Sequence, residues 1–481
     1  MFSCRFIFVI FTIMLGLLSC RSFHPVPAYL PEKLVPETFS QFTEDVDPDL
    51  KWWMTFQDNE LNMLIEDAFE NNLDLKTLWA RVEQAKASAV KAGAGLYPHI
   101  TATADTLHSR RQTDYGEKPA RSSQDYSFGL TGFYQADVWG KNQAERQAAI
   151  FAAQAGEYEF SFAAITLAAE ITNRWLQIIS QRMQLTLLHD QLENNEIMME
   201  LIRFRFRQAM VSILDIYQQQ QVLDSIRAEI PLVEARKQRL TNELAVLLGK
   251  APQIDPEISR DHLPFLLPFP AAGIPAQLLE NRPDIRAAQL RLESAGWNIA
   301  ASRADRLPSI SLTARSVFTS RHLDLLLDNW LLSLASNITA PLFDANLRAA
   351  EVDRLIAVED ENLAAYKQAV LIAVRQVEDT LMTESRQLEH IERLMQVIDT
   401  ARKALDQATV RYMNGLIDYL PVLTQILTVQ GLERNLIDQQ TVLLANRVDL
   451  FRALGGTWTS ELISPKSISD ANKSIYDANN L

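Results

Sequence analysis

The sequence predicts a mainly α-helical chain with a smaller β part, built as a tandem duplication of one strand-and-helix plan. Three observations predict it. The first is internal repetition. Glu70-Asn71-Asn72-Leu73-Asp74-Leu75 matches Glu280-Asn281-Arg282-Pro283-Asp284-Ile285, and the segment from Pro98 to Thr103 matches that from Pro308 to Thr313, both at an offset of 210. Arg205-Phe206 matches Arg411-Tyr412, Leu214 matches Leu420, and Leu248-Gly249 matches Leu454-Gly455, at an offset of 206. Copies this long mark a duplication rather than a solenoid. The second is a change to period two twice in each copy. The third is a proline-free helical run of roughly 67 residues in each copy, against a mean helix of about 11–12.

Composition narrows the function. Apolar residues make up 47% of the 481, which excludes disorder. The net charge of −14 argues against a nucleic-acid partner, which favours a basic face. No apolar run outside the first twenty residues approaches the ~18 that a membrane helix needs. The histidines show no metal-ligand spacing, and there is no HExxH, P-loop or nucleophile elbow. Neither an enzyme nor a cofactor is expected.

Residues 1–19 read as a signal peptide: Arg5, then an uncharged run from Phe6 to Leu18. Leu17-Leu18-Ser19-Cys20 resembles a bacterial lipobox, which makes Cys20 the lipidated N-terminus of the mature chain. Cys4 is then lost, and no free thiol remains for an oxidising periplasm. An N-terminal extended segment covers 20–57. The first repeat covers 58–265, the second 266–458, and a tail rich in Ser, Asn and Asp covers 459–481.

Each repeat opens with a helix. Leu61, Leu64, Ile65, Ala68 and Phe69 fall at helical spacing, and the second copy starts at Pro283, where proline fits a first turn. Strands follow at about 99–110 and 125–136, with Ile100, Ala102 and Ala104, then Tyr126, Phe128, Leu130 and Tyr134, on one face. In the second copy strands lie at about 309–319 and 330–340, with Ile310, Leu312, Ala314 and Phe318, then Trp330, Leu332, Leu334 and Ile338. About ten residues is the length of a tilted membrane-spanning strand. Long helices at about 141–208 and 346–413 would each be ~100 Å long. Each reaches a tip and turns back, at Gln208 to Ile213 and at Asn414 to Tyr419. Gly249 and Gly455 stop the returning helices, and Pro231 is expected to kink the first. Four strands cannot enclose a barrel, so the strands predict an oligomer; three copies supply about 12.

Several segments together resemble the TolC-like outer-membrane factor family, particularly its efflux lipoprotein branch. These are Trp52-Trp53 with Phe56, Asp58 and Leu61; Asp137 with Trp139, Gly140 and Lys141; Arg282-Pro283-Asp284-Ile285-Arg286; Leu342-Phe343-Asp344; and Arg411-Tyr412 with Gly415. The resemblance implies a homotrimer with a 12-stranded barrel in the outer membrane and an α-helical tunnel in the periplasm. It implies a passive duct for substrates delivered by an inner-membrane pump, of the resistance-nodulation-division type, through a periplasmic adaptor or membrane fusion protein. A type I protein-secretion channel shares this architecture. A periplasmic coiled-coil adaptor is the alternative of another class, and the duplicated plan argues against it.

By position the resemblance implies partner contacts at the tips: Ala209, Met210, Val211 and Ser212, and Gly415, Leu416, Ile417 and Asp418. Gly415 suits a turn with φ > 0, while its counterpart is Ala209, so the two turns are expected to differ. Asp215 and Asp418 are candidates for an anionic entrance ring, because Thr424 stands where the family usually carries aspartate. Arg205 with Phe206, and Arg411 with Tyr412, are candidates for contacts that hold the entrance closed. Trp139 and Phe343 are expected in an aromatic belt at the membrane interface, with Tyr126, Phe128, Trp330 and Leu332 facing lipid.

Overall fold

A computed structural model describes residues 23–25, 36, 39, 51–112, 121–254, 256, 258–265 and 278–462. Cys20, the signal segment and all but the first four residues of the C-terminal tail lie outside the described residues. The eight α-helices here are α1 (Asn59–Asn71), α2 (Leu73–Gly93), α3 (Lys141–Arg207), α4 (Ile213–Leu247), the short α5 (Leu278–Asn281), α6 (Pro283–Ala304), α7 (Leu347–Met413) and α8 (Tyr419–Leu454). The strands are β1 (His99–Arg111), β2 (Arg121–Ala136), β3 (Ser309–Ser320) and β4 (Trp330–Thr339). The mainly helical plan with four strands is therefore present.

The chain divides into two compact units. One is built on residues 81–157 and 287–367 and holds the sheet; the other is built on 158–286 and 368–462 with 51–80, and holds the tips. Both α3 and α7 have 67 residues. No described helix is long and apolar enough to cross a membrane.

The sheet is antiparallel in the order β1-β2-β3-β4, which leaves β1 and β4 as edges. Its register sorts the side chains by chemistry, since alternate residues of a strand share a face. Phe128 lies opposite Ala104 and Phe318, and Phe318 opposite Trp330. Leu130 lies opposite Ala102 and Ser316, and Ser316 opposite Leu332. Ile100, Leu312, Leu334 and Ile338 fall on this face too, and the last two are 82% and 68% exposed. The other face is mostly polar, with Thr101, Thr103, Thr131, Thr313 and Ser333, and has Phe133, Val317 and Leu331 among them. Tyr126, Phe128, Trp330 and Leu332 thus share the apolar face.

Where strands become helices, the first unit is tied by charge. The Asp137 carboxylate accepts from the backbone N–H of Asn142 (3.0 Å) and Gln143 (2.8 Å), capping α3. Gly140, Ala345 and Asn346 make the turns with positive φ of 74°, 52° and 66°. Lys141 lies 2.5 Å from Asp305, and the Arg348 Nε donates to the same carboxylate at 3.0 Å. A base from each copy therefore converges on one acid. Burial pushes Asp305 up, but the hydrogen bonds from Lys141 and Arg348 outweigh it and leave the carboxyl below its ordinary value.

The duplication is visible in the second unit. Asn72 Nδ2 donates to the carbonyl of Leu247, and its counterpart Arg282 Nη1 to that of Ala453, both at 2.8 Å. Gly249 (φ 70°) and Gly455 (φ 81°) end the returning helices against the carbonyls of Asn71 and Asn281, leaving no room for a Cβ. Pro231 lies inside α4, which stays one helix. Arg447 on α8 forms a bidentate pair with Glu384 on α7, both buried, and so fixes their register.

Candidate functional site

The two helical hairpins turn at Arg207–Ile213 and Met413–Tyr419. At the first, Ala209 N–H donates to Phe206 O (2.9 Å) and Met210 N–H to Arg205 O (3.0 Å). At the second, Gly415 N–H donates to Tyr412 O and Leu416 N–H to Arg411 O, both at 2.9 Å. Ala209 has φ 56° and Gly415 φ 72°. These are the same Schellman-type turn, residue for residue. The expectation that the alanine changes the turn is corrected: hydrogen bonding forces the alanine into the left-handed region. Ser212 then caps α4 by accepting from Leu214 N–H (3.1 Å), while its counterpart Asp418 heads α8 with no side-chain cap bond.

Side chains differ where backbones do not. Tyr412 is 2% exposed, whereas its counterpart Phe206 is 40% exposed. Arg205 reaches from the end of α3 to the end of α7. Its Nη1 donates to the carbonyls of Tyr412 (2.8 Å) and Met413 (3.3 Å), and its guanidinium lies 4.5 Å from the Tyr412 ring centroid. Its counterpart Arg411 is exposed. The rings of Tyr412 and Tyr419 are 5.5 Å apart. The Tyr419 hydroxyl donates to Gln219 Oε1, and Gln219 Nε2 donates to Asn195 O (2.8 Å) and Oδ1 (3.1 Å). A buried polar chain thus joins α8, α4 and α3, within an apolar cluster of Leu188, Ile202, Val222 and Val422.

The electrostatics favour neutral tyrosines. Burial pushes the Tyr419 hydroxyl far up, and the neighbouring Tyr412 and the Asp215 charge push the same way. Burial raises Tyr412 as well; the Arg205 charge opposes this and Asp215 adds to it.

Of the residues picked from sequence, the structure brings together Arg205 and Tyr412, and the Asp215 charge acts on Tyr412. Arg411 and Asp418 are exposed and stand outside this cluster, as does Thr424, whose hydroxyl donates to Leu420 O at 2.9 Å. Met210 and Leu416, at matching positions, are 66% and 72% exposed, while Val211 and Ile417 pack on the apolar cluster. Trp139 is half-buried, its Nε1 donating to Pro308 O at 2.7 Å; Phe343 is 90% exposed. The sequence reading missed Tyr419, Gln219 and Asn195. Tyr419 falls seven residues after Tyr412, on the turn's far side, and Gln219 sits in a run of four glutamines that hides which one faces inward.

A two-faced sheet carried on helices of this length, with hairpin tips joined by arginine and tyrosine, defines a TolC-like outer-membrane channel subunit. The chain belongs to the outer membrane efflux protein family, whose sequence profile matches residues 64–250 and 274–456. It is 30% identical over 417 residues to the pyoverdine export outer membrane protein OpmQ of Pseudomonas aeruginosa, covering 85% of this chain and 88% of that one. It is 26% identical over 445 residues to the probable outer membrane lipoprotein SilC of Salmonella typhimurium, covering 89% and 94%. A solved membrane protein from Pseudomonas aeruginosa superposes with a TM-score of 0.83 at 29% identity, covering 90% of this chain and all of that one. The protein is an outer-membrane channel component of an efflux system.

Proposed function

We propose that three copies of this chain close a 12-stranded barrel and a helical tunnel, through which solutes leave passively. One observation carries the reading: the sheet has an apolar and a polar face, and both its edges are unpaired. Apolar rows suit lipid, polar rows suit water, and only pairing β4 of one copy with β1 of the next removes the edges. The chain catalyses nothing; a resistance-nodulation-division pump supplies the energy, and an adaptor links it to the channel. Exposed Met210 and Leu416, flanked by Ala209, Val211, Ser212, Gly415, Ile417 and Asp418, are the surface offered to those partners. Arg205 and Tyr412 hold the entrance narrow, and Asp215 or Asp418 lines it. Trp139 and Phe343 mark the periplasmic edge of the membrane. Cys20 carries the lipid, a reading supported by the lipoprotein name of a relative.

The test is direct. Protein purified in detergent should have the mass of a trimer and form pores in planar bilayers. A monomer that does not conduct would overturn the proposal.

A further inference from the structure

Arg315 is the seventh residue of the twelve in β3. Its number places it on the polar face, beside Thr131 of β2 and Ser333 of β4, with Thr101 completing the row. It is exposed and has no ion pair among the described residues. Arg321, at the strand's outer end, instead lies 4.0 Å from Asp125. The nearest acid to Arg315 on its face is Asp105, in the row of Ser127 and Thr319. That row is four residues along, about 13 Å, and Asp105 is two strands over, about 10 Å. The other titratable group nearby on this face is His99 of β1, in the row of Phe133 and Thr313.

A buried structural arginine would be paired. One facing lipid at mid-strand would destabilise the barrel. Arg315 is neither. It is an uncompensated cation halfway along a membrane strand, on the face that meets water, in a chain whose net charge is −14.

We infer that three Arg315 side chains form a cationic belt midway through the barrel lumen that favours anionic solutes. The inference rests on the trimeric, lumen-forming reading given above. Twelve strands tilted by about 40° close a backbone ring about 24 Å across. Three guanidinium groups projecting into it approach one another to within about a Debye length, ~10 Å at 0.1 M salt. Rings of arginine are the device by which pores favour anions. The belt and the carboxylates at the tips are different filters, so the belt is read as a difference between variants.

The test is the reversal potential of single channels under a KCl gradient. Replacing Arg315→Gln should lower the chloride-to-potassium permeability ratio by about threefold near 0.1 M salt, with the gap closing near 1 M as screening shortens to ~3 Å. Arg315→Glu should lower it further. Arg315→Cys, labelled after the channel is already conducting, removes folding from the comparison; Cys4 and Cys20 are the only other thiols in the sequence. A cationic methanethiosulfonate should raise the ratio and an anionic one should lower it. Equal ratios for wild type and Arg315→Gln, with neither label effective, would overturn the inference and leave the channel reading intact. Wild-type protein that does not conduct would overturn both.

Discussion

The two hairpin tips share a backbone and divide the chemistry. Both turn through one left-handed residue, with matching hydrogen bonds of 2.9–3.0 Å. Yet the second copy's Tyr412 is buried while Phe206 of the first is half out in solvent. The first copy's Arg205 crosses to the second tip, while Arg411 of the second stays exposed. A duplicated turn is kept because its hydrogen bonds are local. Its side chains were free to diverge, and the contact between copies needs only one arginine and one tyrosine. The Tyr412 hydroxyl and the Arg205 Nε are buried without a partner. Such groups weaken the contact, because a buried polar group without a partner costs free energy.

The comparison breaks most visibly at the aromatic pair. Tyr412→Ala should cost about 3–5 kcal/mol, as large-to-small changes do in a core, and raise single-channel conductance. Phe206→Ala should stay within about 0.5 kcal/mol; equal losses in urea unfolding would show that the tips are energetically alike. The arginines come next. Arg205→Ala removes a charged donor from two carbonyls and should cost about 1.5–3 kcal/mol, with more frequent openings. Arg411→Ala should leave stability and gating unchanged, and openings in both variants would return the lock to each copy.

Alkali sharpens the same contrast. The hydroxyls of Tyr412 and Tyr419 are raised above the ordinary 10.0, so the folded state holds their protons more tightly than the unfolded chain. Their contribution is complete below the ordinary tyrosine value and falls as pH rises above it. Stability towards urea recorded from about pH 9 to 11 should therefore fall, and changing both residues to phenylalanine should remove the inflection.

Smaller effects test the turn itself. Ala209→Gly should stabilise by about 1 kcal/mol, because a left-handed alanine is strained, and Gly415→Ala should destabilise by a similar amount. Thermal melts in detergent would compare them. Asp418→Ala should change conductance or its block by divalent cations; unchanged traces would remove Asp418 from the entrance ring.

Much of the fold was legible because it is written in period and punctuation. Alternation from Ile100 to Ala104 and from Trp330 to Leu334 marked strands with one apolar face, and hydrogen-bond register then aligned those faces across four strands. The absence of proline between Pro119 and Pro231, and between Pro341 and Pro421, marked the long helices. The tip cluster was less legible. Arg205 and Tyr412 were singled out as members of separate copies, and nothing in spacing says that one donates to the other's carbonyl across 207 residues. Gln219 and Asn195 are polar residues on helices, and polar residues on helices are usually solvated.

The sequence by itself determined the duplication, the strand faces and the helix lengths, because each depends on neighbours within a few residues. It also determined where the chain turns. Tertiary structure decided which polar residues are buried and which copy's arginine bridges the tips. Those outcomes depend on groups distant in sequence meeting in one place, where a buried polar group left without a hydrogen bond costs free energy.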